Sequence, residues 1–211
     1  MAHASSPRLL ALHALRLRGI ATAADVAAYV HAGPALIEAE LHELEGLGLV
    51  TPRRGRFAGW ALTPEGRALG ARLVVEEVEQ HGLRPRIESA YDEFLALNGQ
   101  LLSVCTQWQL RTEAGRTVPN DHVDADHDGA VIRALVSLDE RSRPVLASLT
   151  EVLARFEGHG ERLRYALDRV VAGEHDWFTK PMFPSYHSCW FELHEDLLAT
   201  LGRERNPEGS P

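Results

Sequence analysis

The chain lacks any run of ~18 uncharged apolar residues, the length a bilayer crossing requires, so no membrane span is predicted. Its opening, Met-Ala-His-Ala-Ser-Ser-Pro-Arg, has no basic stretch leading into a long apolar one, and no secretory signal is expected. Cysteine is scarce. Cys105 and Cys189 are the only two, both in apolar, helix-like surroundings, and they read as buried thiols rather than a disulfide framework. A cytoplasmic location is expected. Positive charge is also short: 22 Lys and Arg stand against 30 Asp and Glu, a net charge of −8. Long-range attraction to a polyanion would therefore have to come from a local basic patch working against the overall field.

What is present is ordinary globular material. Of 211 residues, 45% are hydrophobic and 25% charged, which suits one large domain or two small ones. Leu9, Leu12 and Leu15 recur on one helical face, and Gly19 is a plausible stop. Thr22 stands where a helix N-cap would, with Asp25 at the acidic place of a capping box. Pro34 suits the first position of a further helix, whose apolar stripe is Ile37, Leu41 and Leu44. Residues 47–51 and 57–62 read as two strands around the turn Arg53-Arg54-Gly55-Arg56. Thr63, Pro64 and Glu65 then supply a cap, a first position and a favourable charge for a helix running past Val78.

Helix, helix-turn-helix, two-stranded ribbon and helix is the order of a winged helix-turn-helix. The string Leu47-Gly-Leu-Val, the basic hairpin, and Trp60-Ala-Leu-Thr-Pro-Glu-Gly-Arg-Ala-Leu resemble the reading helix end, wing and following helix of bacterial winged-helix regulators. The multiple-antibiotic-resistance (MarR) and phenolic-acid (PadR) regulator types are the nearest. The resemblance covers about a third of the chain, and the piece Leu62 to Arg67 is its most specific part.

After Gln80 the character changes, and Leu83-Arg-Pro-Arg reads as a hinge. A helix is predicted over 87–110, with Phe94, Asn98, Leu101, Cys105 and Trp108 on one face. Residues 111–128 read as a polar loop. Further helices are expected over 130–156 (with Pro144 kinking or splitting it), 161–171 and 186–201, with an aromatic loop between the last two. The expected fold is therefore mainly α: a winged helix over 1–82, an all-α helical bundle over 83–205 for effector binding and dimerisation, and a disordered tail, 206–211.

Three groups of residues are candidates for function. The first is a DNA-reading surface: Pro34, Ala35 and His42 on the reading helix, Arg53, Arg54 and Arg56 at the wing tip, and Arg67 beyond it. The same helix exposes Glu38 and Glu43 and has no Arg or Lys between Gly33 and Pro52, which disfavours phosphate. The second is the stretch Asn120-Asp-His-Val-Asp-Ala-Asp-His-Asp, where Asp126 or Asp128 is expected to cap the next helix. Its residue types suit a transition ion, but the spacing fits no known metal loop, so no metal and no cofactor are assigned. The third is a set of histidines and aromatics expected to line a small-molecule pocket: Asn98, Trp108, Trp177, His187, Trp190 and His194.

The leading expectation is a transcriptional regulator without membrane attachment. It would bind double-stranded DNA as a homodimer and answer to a small-molecule effector held by the helical domain. The alternative keeps the winged helix as a scaffold that does not bind DNA. The helical domain would then be an enzyme or binding domain, with His122, His127, His187, His194 and Glu192 as its acid–base candidates.

Overall fold

The computed structural model describes residues 2–113 and 115–203. Capping residues set where the first helices begin. Ser6 accepts from the Leu9 amide ahead of α1 (Pro7–Arg18), whose Pro7 loses nothing by lacking an N–H there. The short strand β1 (Ile20–Ala21) leads to Thr22, which caps α2 (Ala23–Tyr29) in a reciprocal capping box with Asp25. Pro34 opens α3 (Pro34–Gly46), which buries Ile37, Leu41 and Leu44, the predicted stripe.

Strands β2 (Val50–Arg53) and β3 (Gly59–Leu62) pair antiparallel, with Val50 opposite Leu62 and Arg53 opposite Gly59. On its other edge β3 pairs with β1, so the sheet order is β1-β3-β2. Thr63 caps α4 (Pro64–Gln80) by accepting from the Gly66 amide. Helices α1, α2 and α3 close over Leu12, Leu15, Val26, Ile37, Leu41 and Leu44, each at 0% exposure, so this part of the chain has its own core.

Next comes α5 (Arg84–Gln109), followed by strands β4 (Leu110–Glu113) and β5 (Arg116–Pro119) as an antiparallel hairpin. Two expectations are corrected here. The stretch expected as a hinge is the first turn of α5, where Pro85 is tolerated. The polar loop contains a hairpin, which turns at Gly115 with φ +77°.

Helix α6 (Ala125–Val152) carries Pro144 without splitting. A 3₁₀ turn, Ala154–Phe156, leads to α7 (Glu157–Val171); then come the single-turn α8 (Asp176–Thr179) and α9 (Tyr186–Leu201). The described residues are thus mainly helical, with a small antiparallel sheet and a separate hairpin. No described helix is long and apolar enough to cross a membrane. The expected tail over 206–211 lies outside the described residues.

The chain divides into two units, but not by a single cut. Among described residues the first holds 2–88, 149–158 and 194–203, and the second holds 89–148 and 159–193. The first boundary falls six residues past the expected one at 82, and the later segments rejoin the first unit for identifiable reasons. His3 bridges in parallel to Leu153. Arg155, with a side chain 3% exposed, donates to Glu77 and, at 2.9 Å, to the Thr200 hydroxyl. His13 Nε2 donates to Asp196 Oδ1 at 2.7 Å, both groups buried. Buried charges left without such partners would be strongly destabilising.

Candidate functional site

In the first unit, the residues expected at DNA are on the surface. Pro34, Ala35, Glu38, Ala39, His42 and Glu43 of α3 are exposed, as the burial of the opposite stripe requires. The imidazole of His42 meets Trp60 of β3 edge-on at 5.2 Å and lies 3.5 Å from Glu45. The acidic face is partly neutralised from outside the helix. Arg8 Nε donates to Glu40 Oε1 at 2.7 Å and Arg8 Nη2 donates to Glu43 Oε2 at 3.1 Å. Sequence spacing gave no sign of this clamp, because it joins two helices.

The hairpin tip differs. Arg53, Arg54 and Arg56 are exposed, with Gly55 between them at φ +95°. Glycine takes that conformation without penalty, which allows so tight a cationic turn. Among the described residues no carboxylate lies within ion-pair distance of Arg53, Arg54, Arg56 or Arg67, and the Arg56 guanidinium lies over the ring of Phe57 at 5.6 Å. Many other arginines are paired: Arg8, Arg72, Arg84 and Arg86 in the first unit all meet a glutamate. Beside the hairpin, Arg16, Leu62, Thr63, Pro64, Arg67, Ala68 and Ala71 line a depression of about 580 Å³ with two guanidinium groups on its walls.

In the second unit, the expected pocket residues fall into separate groups. Asn98 and Trp190 do meet, but as a buried pair: Trp190 Nε1 donates to Asn98 Oδ1 at 3.0 Å. Trp190 is 2% exposed and packs against the rings of Phe94 and Tyr186, so it fills core rather than lining a cavity. Tyr186 is buried with it and donates to Asp139 Oδ1; burial first, and then the Asp139 charge, push its phenol well above its usual value. His194 is buried in the first unit, and His187 is half-buried in the second.

Trp177 stands elsewhere. Edge-on to Tyr165 and Phe183, it donates from Nε1 to Glu174 Oε2 at 3.1 Å. Trp177 and Tyr165 are walls of an open cavity of about 530 Å³, which also takes in Glu161, Arg162, Arg164, Asp168, Pro184 and Cys189. Sequence reasoning missed Tyr165, Arg162 and Arg164 because they lie on α7, and no local spacing shows that this helix comes to face Trp177. Among the acid–base candidates, Glu192 lies 3.9 Å from Arg162, and His127 Nε2 donates to the Gln107 carbonyl at 2.9 Å.

The 120–128 stretch organises around Asn120. Asp124 Oδ1 accepts from the amides of Asp126 and His127, so Asp124 caps α6, not Asp126 or Asp128 as expected. Asp121 pairs with Arg111 at 3.3 Å. Asp128 turns inward, to within 3.0 Å of His122 Nδ1, and accepts from Asn120 Nδ2 at 2.7 Å. Burial acts to raise the Asp128 pKa. Hydrogen bonds from Asn120 and His122, with the charges of His122 and His175, outweigh it and leave the carboxyl below its ordinary value. Trp108 packs its ring against His122 at 4.3 Å, meets His175 edge-on at 5.1 Å, and stacks on Phe178 at 4.3 Å.

No family model matches the chain, and comparison with curated proteins and with solved structures yields no match either.

Proposed function

We propose that residues 2–82 form a winged helix-turn-helix that binds duplex DNA, and that the protein is a transcriptional regulator. The observation that carries this reading is the hairpin tip. Three exposed guanidinium groups within four positions have no carboxylate partner among the described residues, in a molecule that pairs many of its other arginines. Unpaired guanidinium groups on a tight ribbon suit phosphate contact and minor-groove insertion. Arg67 and Arg16 beside the ribbon extend the basic surface. The Arg8 clamp on Glu40 and Glu43 reduces repulsion along α3, where Pro34, Ala35 and His42 would face the duplex.

The regulator works as a homodimer, which doubles the number of wing contacts and offsets the net charge of −8. The cavity at Tyr165 and Trp177 would hold the effector. Two aromatic walls with arginine and carboxylate groups at the rim suit a small amphipathic molecule, and its volume lies within the range of small-molecule sites.

A fluorescence-polarisation titration with mixed-sequence duplex DNA at low salt tests the reading. Saturable binding that weakens at least tenfold in the Arg53→Ala, Arg54→Ala, Arg56→Ala triple variant supports it. Absence of binding at low salt overturns it.

A further inference from the structure

In the second unit a histidine from a distant place in the chain converges on a histidine and an aspartate that lie six residues apart. His122 follows the β4–β5 hairpin, Asp128 sits in the first turn of α6, and His175 precedes α8. One potential ligand atom from each lies within 4.8 Å of the other two. We propose that His122, Asp128 and His175 form a binding site for a divalent transition ion, with three protein ligands and the remaining positions open.

The donor set selects the class of ion. Two imidazoles and one carboxylate suit zinc, cobalt, nickel or ferrous iron; calcium and magnesium prefer all-oxygen cages. Distances are close to what such an ion needs. With ligand bonds of ~2.0–2.2 Å, neighbouring donor atoms stand about 3–3.5 Å apart. His122 Nδ1 and Asp128 Oδ2 are already 3.0 Å apart. His175 is exposed at the start of a single-turn helix, so a side-chain rotation closes the remaining gap without repacking a core.

The surroundings hold these ligands as outer partners hold them in metal sites. Asn120 has two amide hydrogens, and its shortest contacts are to Asp128 Oδ1 at 2.7 Å and the Trp108 carbonyl at 3.0 Å. Asn120 thereby secures Asp128 Oδ1 and leaves Oδ2, the oxygen 3.0 Å from His122 Nδ1, for the ion. Asn120 Oδ1 accepts from the His122 amide, which holds His122 at φ +58°, a conformation of limited access to a residue with a side chain. Trp108 and Phe178, 3% and 1% exposed, stack as an apolar wall against which His122 rests. Such a wall restricts water on one side and strengthens ion–ligand attraction. The acids of the same stretch have other tasks: Asp124 caps α6 and Asp121 pairs with Arg111. His127 bonds the Gln107 carbonyl and serves as a control. No residue of 2–82 takes part, so this site stands or falls separately from DNA binding.

The test uses the full chain stripped of metal. Cobalt(II) is titrated in while its visible ligand-field absorption is followed, and zinc(II) affinity is measured by competition with a chromophoric chelator. One ion per chain is expected, with neither calcium nor magnesium in hundredfold excess displacing it. His175→Ala and Asp128→Asn should each weaken zinc binding by at least tenfold, Asn120→Ala by about tenfold, and His127→Ala should leave it unchanged. His175→Gln, with far-UV circular dichroism recorded beside it, separates loss of a ligand from loss of fold. No stoichiometric binding to the wild type, or wild-type affinity in folded His175→Ala or His175→Gln, overturns the proposal.

Discussion

Single residues carry two of the clearest consequences. Burial alone pushes the Cys105 thiol up to about 12, so at pH 8 it is almost entirely protonated and a poor nucleophile. Alkylation at pH 8 followed by mass mapping should find Cys105 unmodified in the native protein and modified in denaturant; rapid native labelling would contradict its placement on the buried face of α5. His13 and Asp196 make the second case. His13 Nε2 donates to Asp196 while its Nδ1 has no hydrogen-bond partner among the described residues. Asp196→Ala removes the acceptor and should lower stability by about 3 kcal/mol in denaturant titration. Asp196→Asn keeps an oxygen acceptor and should cost less. Equal losses in both would mean that packing, not the hydrogen bond, holds α9 to α1.

At the scale of elements, punctuation explains why the first 80 residues were legible. Thr22, Pro34 and the Thr63-Pro64 pair mark three helix starts with side-chain or backbone chemistry that acts within a few residues. Gly66 belongs to the same signal for a different reason. A Cβ there would stand 1.8 Å from the Leu49 carbonyl oxygen, so the start of α4 can lie against the end of the α3–β2 link only with glycine. Gly66→Ala should cost about 3 kcal/mol, the upper end of overpacking. Gly99, on the exposed face of α5 with nothing within 4 Å of a new Cβ, is the contrast. Gly99→Ala should be neutral to stabilising, by up to about 1 kcal/mol. Thermal melts of both variants check the pair, and a mild Gly66→Ala would contradict the close approach. The β4–β5 hairpin was not legible. Its residues, Leu-Arg-Thr-Glu and Arg-Thr-Val-Pro, bury no face, so no apolar alternation announces it.

For the whole molecule, what stayed hidden in the sequence is what long-range contacts create. Arg155, Thr200 and Asp196 return to the first unit through pairs with Glu77 and His13, and no local pattern marks such partners. Of the potential metal ligands, His122 and Asp128 stood together in the sequence, whereas His175 comes from beyond α6 and α7. The pocket expectation separated for a related reason. A shared helical face placed Trp190 correctly inward, but whether an inward tryptophan fills core or lines a cavity depends on Phe94 and Asn98 of α5, which meet it from another helix. The hairpin arginines were readable because a turn and its charges are adjacent in sequence. What only the fold adds is that none of the described carboxylates reaches them.

The salt dependence of the proposed DNA binding would measure those charges directly. Log affinity against log salt should fall with a slope of about −0.9 per phosphate contacted, so replacing Arg53, Arg54 and Arg56 by alanine should reduce the magnitude of the slope by about three in each protomer that binds. A slope that does not change in the triple variant would contradict the assignment of the hairpin to DNA.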